Sequence, residues 1–102
     1  MAADLKERII EVLKTVRDPE LPVDIYELGL IYELNVTDDG VVRIVMTLTT
    51  PNCPVADSLV MEVQEKIYQV PGVKDVHLHL TFDPPWDISR ASEVARLELD
   101  ML

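Results

Sequence analysis

From Leu30 to Thr49 the side chains alternate in character with a period of two, and no other stretch restricts the fold as tightly. Leu30, Tyr32, Leu34 and Val36 share one parity, with Glu33 and Asn35 opposite. Val42, Ile44, Met46 and Leu48 then alternate with Arg43, Val45, Thr47 and Thr49. A period of two means a strand with one face on a core. Thr37-Asp38-Asp39-Gly40 between the two runs is a hairpin signal, because Gly40 can take the positive φ that such turns need. Two antiparallel strands follow.

The next segment decides the topology. Thr50-Pro51-Asn52-Cys53-Pro54 breaks the second strand and opens a helix to about Gln69, with Pro54 at its first position, where no backbone N–H is missed. Ala56, Leu59, Val60, Val63, Ile67 and Val70 form its buried stripe, and Pro71-Gly72 stops it. A third strand runs from Val73 to Thr81, with Val76, Leu78 and Leu80 inward and His77 and His79 outward. A helix of about 16 residues suits a crossover, not a hairpin, so the second and third strands are expected to be parallel.

Helices flank this unit. Leu5, Ile9, Val12, Leu13 and Val16 recur at helical spacing over Asp4 to Val16, and Asp4 with Glu7 matches a capping box. Asp18-Pro19-Glu20-Leu21-Pro22 ends that helix, since proline restricts the residue before it. A short turn around Asp24 to Leu28 is closed by Gly29, and a last amphipathic helix lies near Ser92 to Leu99, after the rigid Asp83-Pro84-Pro85-Trp86. The expectation is an α+β fold of order α-β-β-α-β-α. It is a small two-layer domain, a three-stranded mixed sheet packed by helices, with residues 1–102 as one unit.

Charge and cysteine usage exclude several functions. Acidic residues outnumber basic ones 19 to 9, a formal charge of −10. Such a field repels phosphate backbones and anionic lipid, so neither nucleic acid nor membrane is an expected partner, whereas basic protein surfaces are favoured. The one cysteine forms no internal disulfide and suits a reducing compartment. No apolar h-region follows Met1, and no apolar run reaches the roughly 18 residues that span a bilayer. The expected location is the cytoplasm, and the expected state a monomer or homodimer.

Parallel second and third strands bring their C-terminal ends to one edge, where ligands of such sheets commonly sit. Cys53 follows the second strand, Asp83 to Trp86 follow the third, and Gly29-Leu30, fed by Asp18-Pro19-Glu20, begins the first at that same edge. Beside a helix N-terminus, Cys53 feels a positive potential that favours thiolate, the form that binds iron or attacks an electrophile. A small residue capping a turn is the plainer reading of Cys53. Asp18, Glu20 and Asp83 are acid–base or ligand candidates, or turn-formers. Trp86 is a partner's anchor or a lid on the core. His77 and His79 read as a solvated face. No Cys-x-x-Cys pair, P-loop or dinucleotide fingerprint is present, and neither histidine falls at the Cys53 edge.

Four ordered segments resemble one family. Asp18-Pro19-Glu20, Asp24-Ile25-Tyr26-Glu27-Leu28-Gly29-Leu30-Ile31-Tyr32, Thr47-Leu48-Thr49-Thr50-Pro51-Asn52-Cys53-Pro54 and Phe82-Asp83-Pro84-Pro85-Trp86 are similar to the PaaD/SufT-like proteins of iron–sulfur cluster assembly. The resemblance implies a fold like the C-terminal domain of Nfu-type scaffolds. It also implies an accessory role in cluster maturation within SUF-type systems, with assembly machinery and client apoproteins as partners. Cys53 matches the family's reactive cysteine, and Asp18, Pro19 and Glu20 its acidic signature. Arg90-Ala91-Ser92-Glu93 and Asp100 depart from the pattern, at the last helix.

The expected site is therefore Cys53 as a transient iron–sulfur ligand, shaped by Asp18, Pro19, Glu20, Thr50, Asn52, Pro54, Asp83 and Trp86. A two-iron cluster takes four ligands and one chain offers one thiol. That leaves a cluster shared between two protomers, one shared with a partner, or a thiol that only docks. A pure adaptor and a thiol enzyme are the alternative functions. RNA-binding KH modules share a similar element order but need a Gly-x-x-Gly loop that is absent here.

Overall fold

The crossover forms as expected and fixes the sheet. A computed structural model describes residues 2–18, 23–49 and 56–100. The elements are α1 (Ala2–Leu13), β1 (Ile31–Val36), β2 (Val41–Met46), α2 (Ala56–Tyr68), β3 (Asp75–Leu80), a 3-10 turn (Ile88–Arg90) and α3 (Glu93–Asp100). The strand order is β1-β2-β3, with β1 antiparallel and β3 parallel to β2. Thr50 to Val55 and Pro19 to Pro22 lie outside the described residues, and with them Pro19, Glu20, Thr50, Asn52, Cys53 and Pro54 of the expected site.

One sheet face is covered. Ile9 and Leu13 of α1, Leu59, Val63 and Ile67 of α2, and Val42, Ile44 and Met46 of β2 are buried in a single cluster. The stripes that define it recur at helical spacing in α1 and α2, so each helix buries one side only. Exposed Glu33, Asn35, Arg43, His77 and His79 form the opposite, uncovered face, with Asn35 beside Arg43 and Arg43 beside His77 in register.

Three local expectations are corrected. Asp4 does not cap α1, because the helix already starts at Ala2 and Asp4 sits in its first turn. Its charge still opposes the helix dipole favourably there. Tyr32 does not share the core face of Leu30, Leu34 and Val36. A register shift between Ile31 and Glu33 interrupts the alternation, and Ile31 packs on the core in its stead. Such a shift re-aims the side chains beside it. Thr47, expected opposite the core face, is fully buried. It lies just past the last ladder residue of β2, where the period of two no longer holds.

Two glycines make close approaches that no other residue permits. Gly40 takes φ 90°, and an added Cβ would lie 2.2 Å from the carbonyl oxygen of Gly72, so the hairpin packs directly on the turn after α2. Gly29 takes φ 78°, and a Cβ there would lie 2.2 Å from the Arg90 carbonyl oxygen. Gly29→Ala is therefore expected to lower stability by at least about 2 kcal/mol, from the left-handed backbone and the clash together. Urea unfolding followed by circular dichroism measures it, and a loss under half of that would mean the C-terminal segment yields freely.

The β3 edge is tied to α2 by a polar cluster. The Tyr68 hydroxyl donates to Asp75 Oδ1 at 2.6 Å, and His77 Nε2 lies 3.1 Å from Asp75 Oδ2. The Tyr68 hydroxyl and then the Val76 N–H hold the Asp75 carboxyl below its ordinary range, while the bond to Asp75 raises the Tyr68 phenol. Asp75 thus stabilises the fold above about pH 4 and loses that contribution as pH falls through its lowered pKa. Tyr68 contributes below about pH 10 and loses it as pH rises through its raised pKa. In Tyr68→Phe the Asp75 carboxyl should titrate at higher pH by carbon-detected NMR. An unchanged titration would show that the phenol does not hold it.

Candidate functional site

After β3 the chain turns back across the sheet, and its bonds show where it goes. Thr81 N–H donates to the Met46 carbonyl at 2.9 Å, extending the parallel pairing to the end of β2. The Asp83-Pro84 peptide is cis. The Tyr32 hydroxyl then donates to the Pro84 carbonyl at 2.8 Å, and Trp86 Nε1 donates to the Leu28 carbonyl at 2.6 Å. Ser92 N–H reaches the Glu27 carbonyl at 2.7 Å, and the Ser92 hydroxyl accepts from Ala95 N–H to cap α3. Residues 83–92 form a strap that leaves β3, passes the end of β2 and fastens beside the start of β1.

The strap has a built landing surface. Asp24 Oδ2 accepts from Glu27 N–H at 2.9 Å, and Leu28 N–H bonds to the Asp24 carbonyl, so Asp24 organises the turn that presents the Glu27 and Leu28 carbonyls. An Arg17–Asp24 bridge and the Ile25 N–H to Val16 carbonyl bond hold this turn to the end of α1. Lys14 adds to the hold, with Nζ 5.4 Å from the Tyr26 ring centre and 3.8 Å from Glu27 Oε1. Trp86 is partly buried against the core and its only donor is engaged, so the lid reading accounts for it.

Asp18 meets the other end of the same edge. It is 6% exposed, and the Thr49 hydroxyl lies 3.5 Å from its Oδ2. Thr49 directly precedes the loop that carries Cys53, so the acidic segment and the exit of β2 come together, as the topology implies. Asp83 is exposed and faces the uncovered side of the sheet, near His79 and Tyr32. Among the described residues no group of three His, Cys, Asp or Glu side chains is placed to hold a metal ion.

Sequence reasoning passed over three residues of this neighbourhood. Thr49 reads as an outward strand residue within the family-like segment, and an acid-rich segment expected at the same edge gives it a natural partner. Arg90, whose guanidinium stands 4.9 Å from the Tyr32 ring centre, carries no periodic signal in a loop. Thr47 is the third. Its Oγ1 is fully buried and, among the described residues, has no hydrogen-bond partner.

The chain is similar to known proteins both in sequence and in overall fold. The family described as "Iron-sulfur cluster assembly protein" matches residues 6–78. The chain is similar to an Fe-S protein maturation auxiliary factor of Porphyromonas gingivalis, 50% identical over 95% of this chain and 92% of that one. It is likewise similar to the Fe-S protein maturation auxiliary factor YitW of Bacillus subtilis, 42% identical over 97% of each. Among solved structures, a domain of unknown function from Bacillus anthracis superposes with a TM-score of 0.90, at 31% identity, over 99% of this chain and 96% of that one.

A buried hydroxyl without a partner is a stability cost, of order 1–3 kcal/mol. Thr47→Val keeps the shape and removes the polar atom, and is expected to raise stability by about 1 kcal/mol in urea unfolding. A loss of stability would show that the hydroxyl is bound in solution.

Proposed function

The chain belongs to the iron–sulfur cluster assembly protein family, where it acts as an accessory factor in cluster assembly or delivery, and we propose that Cys53 is its working contact. The chain catalyses no reaction of its own in this reading. It holds cluster or partner briefly and passes the cluster to client apoproteins, in the cytoplasm. Four thiolates complete a two-iron cluster and this sequence has one, so the cluster is cargo shared with a second thiol donor, not a resident group.

The observation that supports this reading best is the parallel pairing of β2 with β3. It brings the exit of β2, which leads to Cys53, beside the exit of β3, which leads to the strap. Asp18, near the Thr49 hydroxyl, stands at the root of the Cys53 loop and is a positioning residue there. Glu20 and Pro19 extend the same segment, and Thr50, Asn52 and Pro54 flank the thiol in sequence. Asp83 begins the strap, and Trp86 fastens it to the Leu28 carbonyl in the turn before β1. Cys53 precedes the first described turn of α2, and a thiol beside a helix N-terminus is shifted toward thiolate.

Anaerobic reconstitution with ferrous iron and sulfide tests the proposal. An iron–thiolate absorption band is expected in the wild type and not in Cys53→Ser, which should retain the wild-type circular dichroism. In cells lacking the wild-type gene, the same variant should leave cluster-dependent enzymes at the activity of the deletion. Full support of those enzymes by Cys53→Ser would overturn the thiol role and leave a docking adaptor.

A further inference from the structure

The strap borders the uncovered sheet face, and the lining between them shares only Asp83 with the proposed Cys53 site. Between them lies an open trough of about 650 Å³, within the range of roughly 300–1,000 Å³ common for small-ligand clefts. Its apolar floor is Val45, which pairs with Glu33 on the uncovered face, with Pro84 on the strap side. Its polar groups carry both signs. Glu33 and Asp83 supply carboxylates, Arg90 a guanidinium, and His79 and Thr81 lie on the β3 side.

These charges do not neutralise one another. The ion pairs among the described residues join Lys14 to Glu27, Lys66 to Glu62 and His77 to Asp75, and none involves Glu33, Asp83 or Arg90. Arg90 is nonetheless held in place. Its N–H donates to the Asp87 carbonyl, its own carbonyl packs on Gly29, and its guanidinium lies over the Tyr32 ring. Tyr32 is itself fixed by the Pro84 carbonyl. A positioned guanidinium with open donor edges binds a carboxylate in bidentate fashion. A purely anionic ligand would meet Glu33 and Asp83, and a purely cationic one would meet Arg90. A ligand with an ammonium at one end and a carboxylate at the other satisfies both.

We infer that this trough binds a small dipolar amino-carboxylate of dipeptide size, with its carboxylate on Arg90, its ammonium on Glu33 and Asp83, and an apolar side chain on Val45 and Pro84. The lining residues include neither Cys53 nor its sequence neighbours, and the test reads ligand binding without any cluster present.

The probe is glycyl-L-leucine, titrated into the full-length protein and followed by amide NMR. Saturable shifts are expected at Ile31, Tyr32, Val45, His79 and Thr81, with a dissociation constant in the millimolar range. N-acetylglycyl-L-leucine lacks the ammonium and glycyl-L-leucinamide lacks the carboxylate; each should bind at least about tenfold more weakly, a loss of about 1.4 kcal/mol. Arg90→Gln should bind the free and amidated dipeptides alike, and Glu33→Gln the free and acetylated ones alike, both with wild-type spectral dispersion. No saturable shift, or equal affinity for all three compounds, would overturn the assignment. Discrimination that survives in both variants would overturn the roles given to Arg90 and Glu33.

Discussion

The parallel contact between β2 and β3, made possible by α2, is the constraint from which the rest of the molecule follows. A hairpin alone would send consecutive strand ends to opposite edges. The crossover breaks that rule once, so β2 and β3 both finish at the edge where β1 begins. Among the described residues, Asp18 after α1, Thr49 after β2 and the proline-rich exit of β3 gather there. The opposite edge carries only the tight hairpin and the turn after α2, locked together by Gly40 and Gly72.

Much of this was legible in the residues because it rests on local periodicity. Val42, Ile44 and Met46 and the stripe through Leu59, Val63 and Ile67 specify which faces are buried, and the structure buries them. Gly29, Gly40 and Gly72 mark the three turns that take a positive φ. The expectation failed where a side chain's role is set by something distant. Tyr32 has the right parity for the core, yet a register shift and the Pro84 carbonyl, 52 positions away, engage it elsewhere. Thr47 has the wrong parity and is buried all the same. Arg90 gains its place from Gly29 and Tyr32, and neither contact leaves a trace in the sequence around it.

The acidic character of the chain also gains structure. Of the described carboxylates, Asp18, Asp24 and Asp75 work within the fold, beside Thr49, on the turn that receives the strap and on the Tyr68 hydroxyl. Glu33 and Asp83 stand open on the uncovered face. A net charge of −10 is thus partly architecture and partly surface, and only the second part is free to select partners.

The strap has a consequence for the order in which the molecule is made. A ribosome releases the N-terminus first, and units generally fold as they emerge. All three strands and the two large helices are complete by Leu80, before a single residue of the strap exists as free chain. The family match, over residues 6–78, falls wholly within that earlier part. The part complete by Leu80 carries most of the core, Ala91 and Ala95 finish it, and the trough comes into being only when the final segment crosses the sheet and Trp86 bonds to the Leu28 carbonyl.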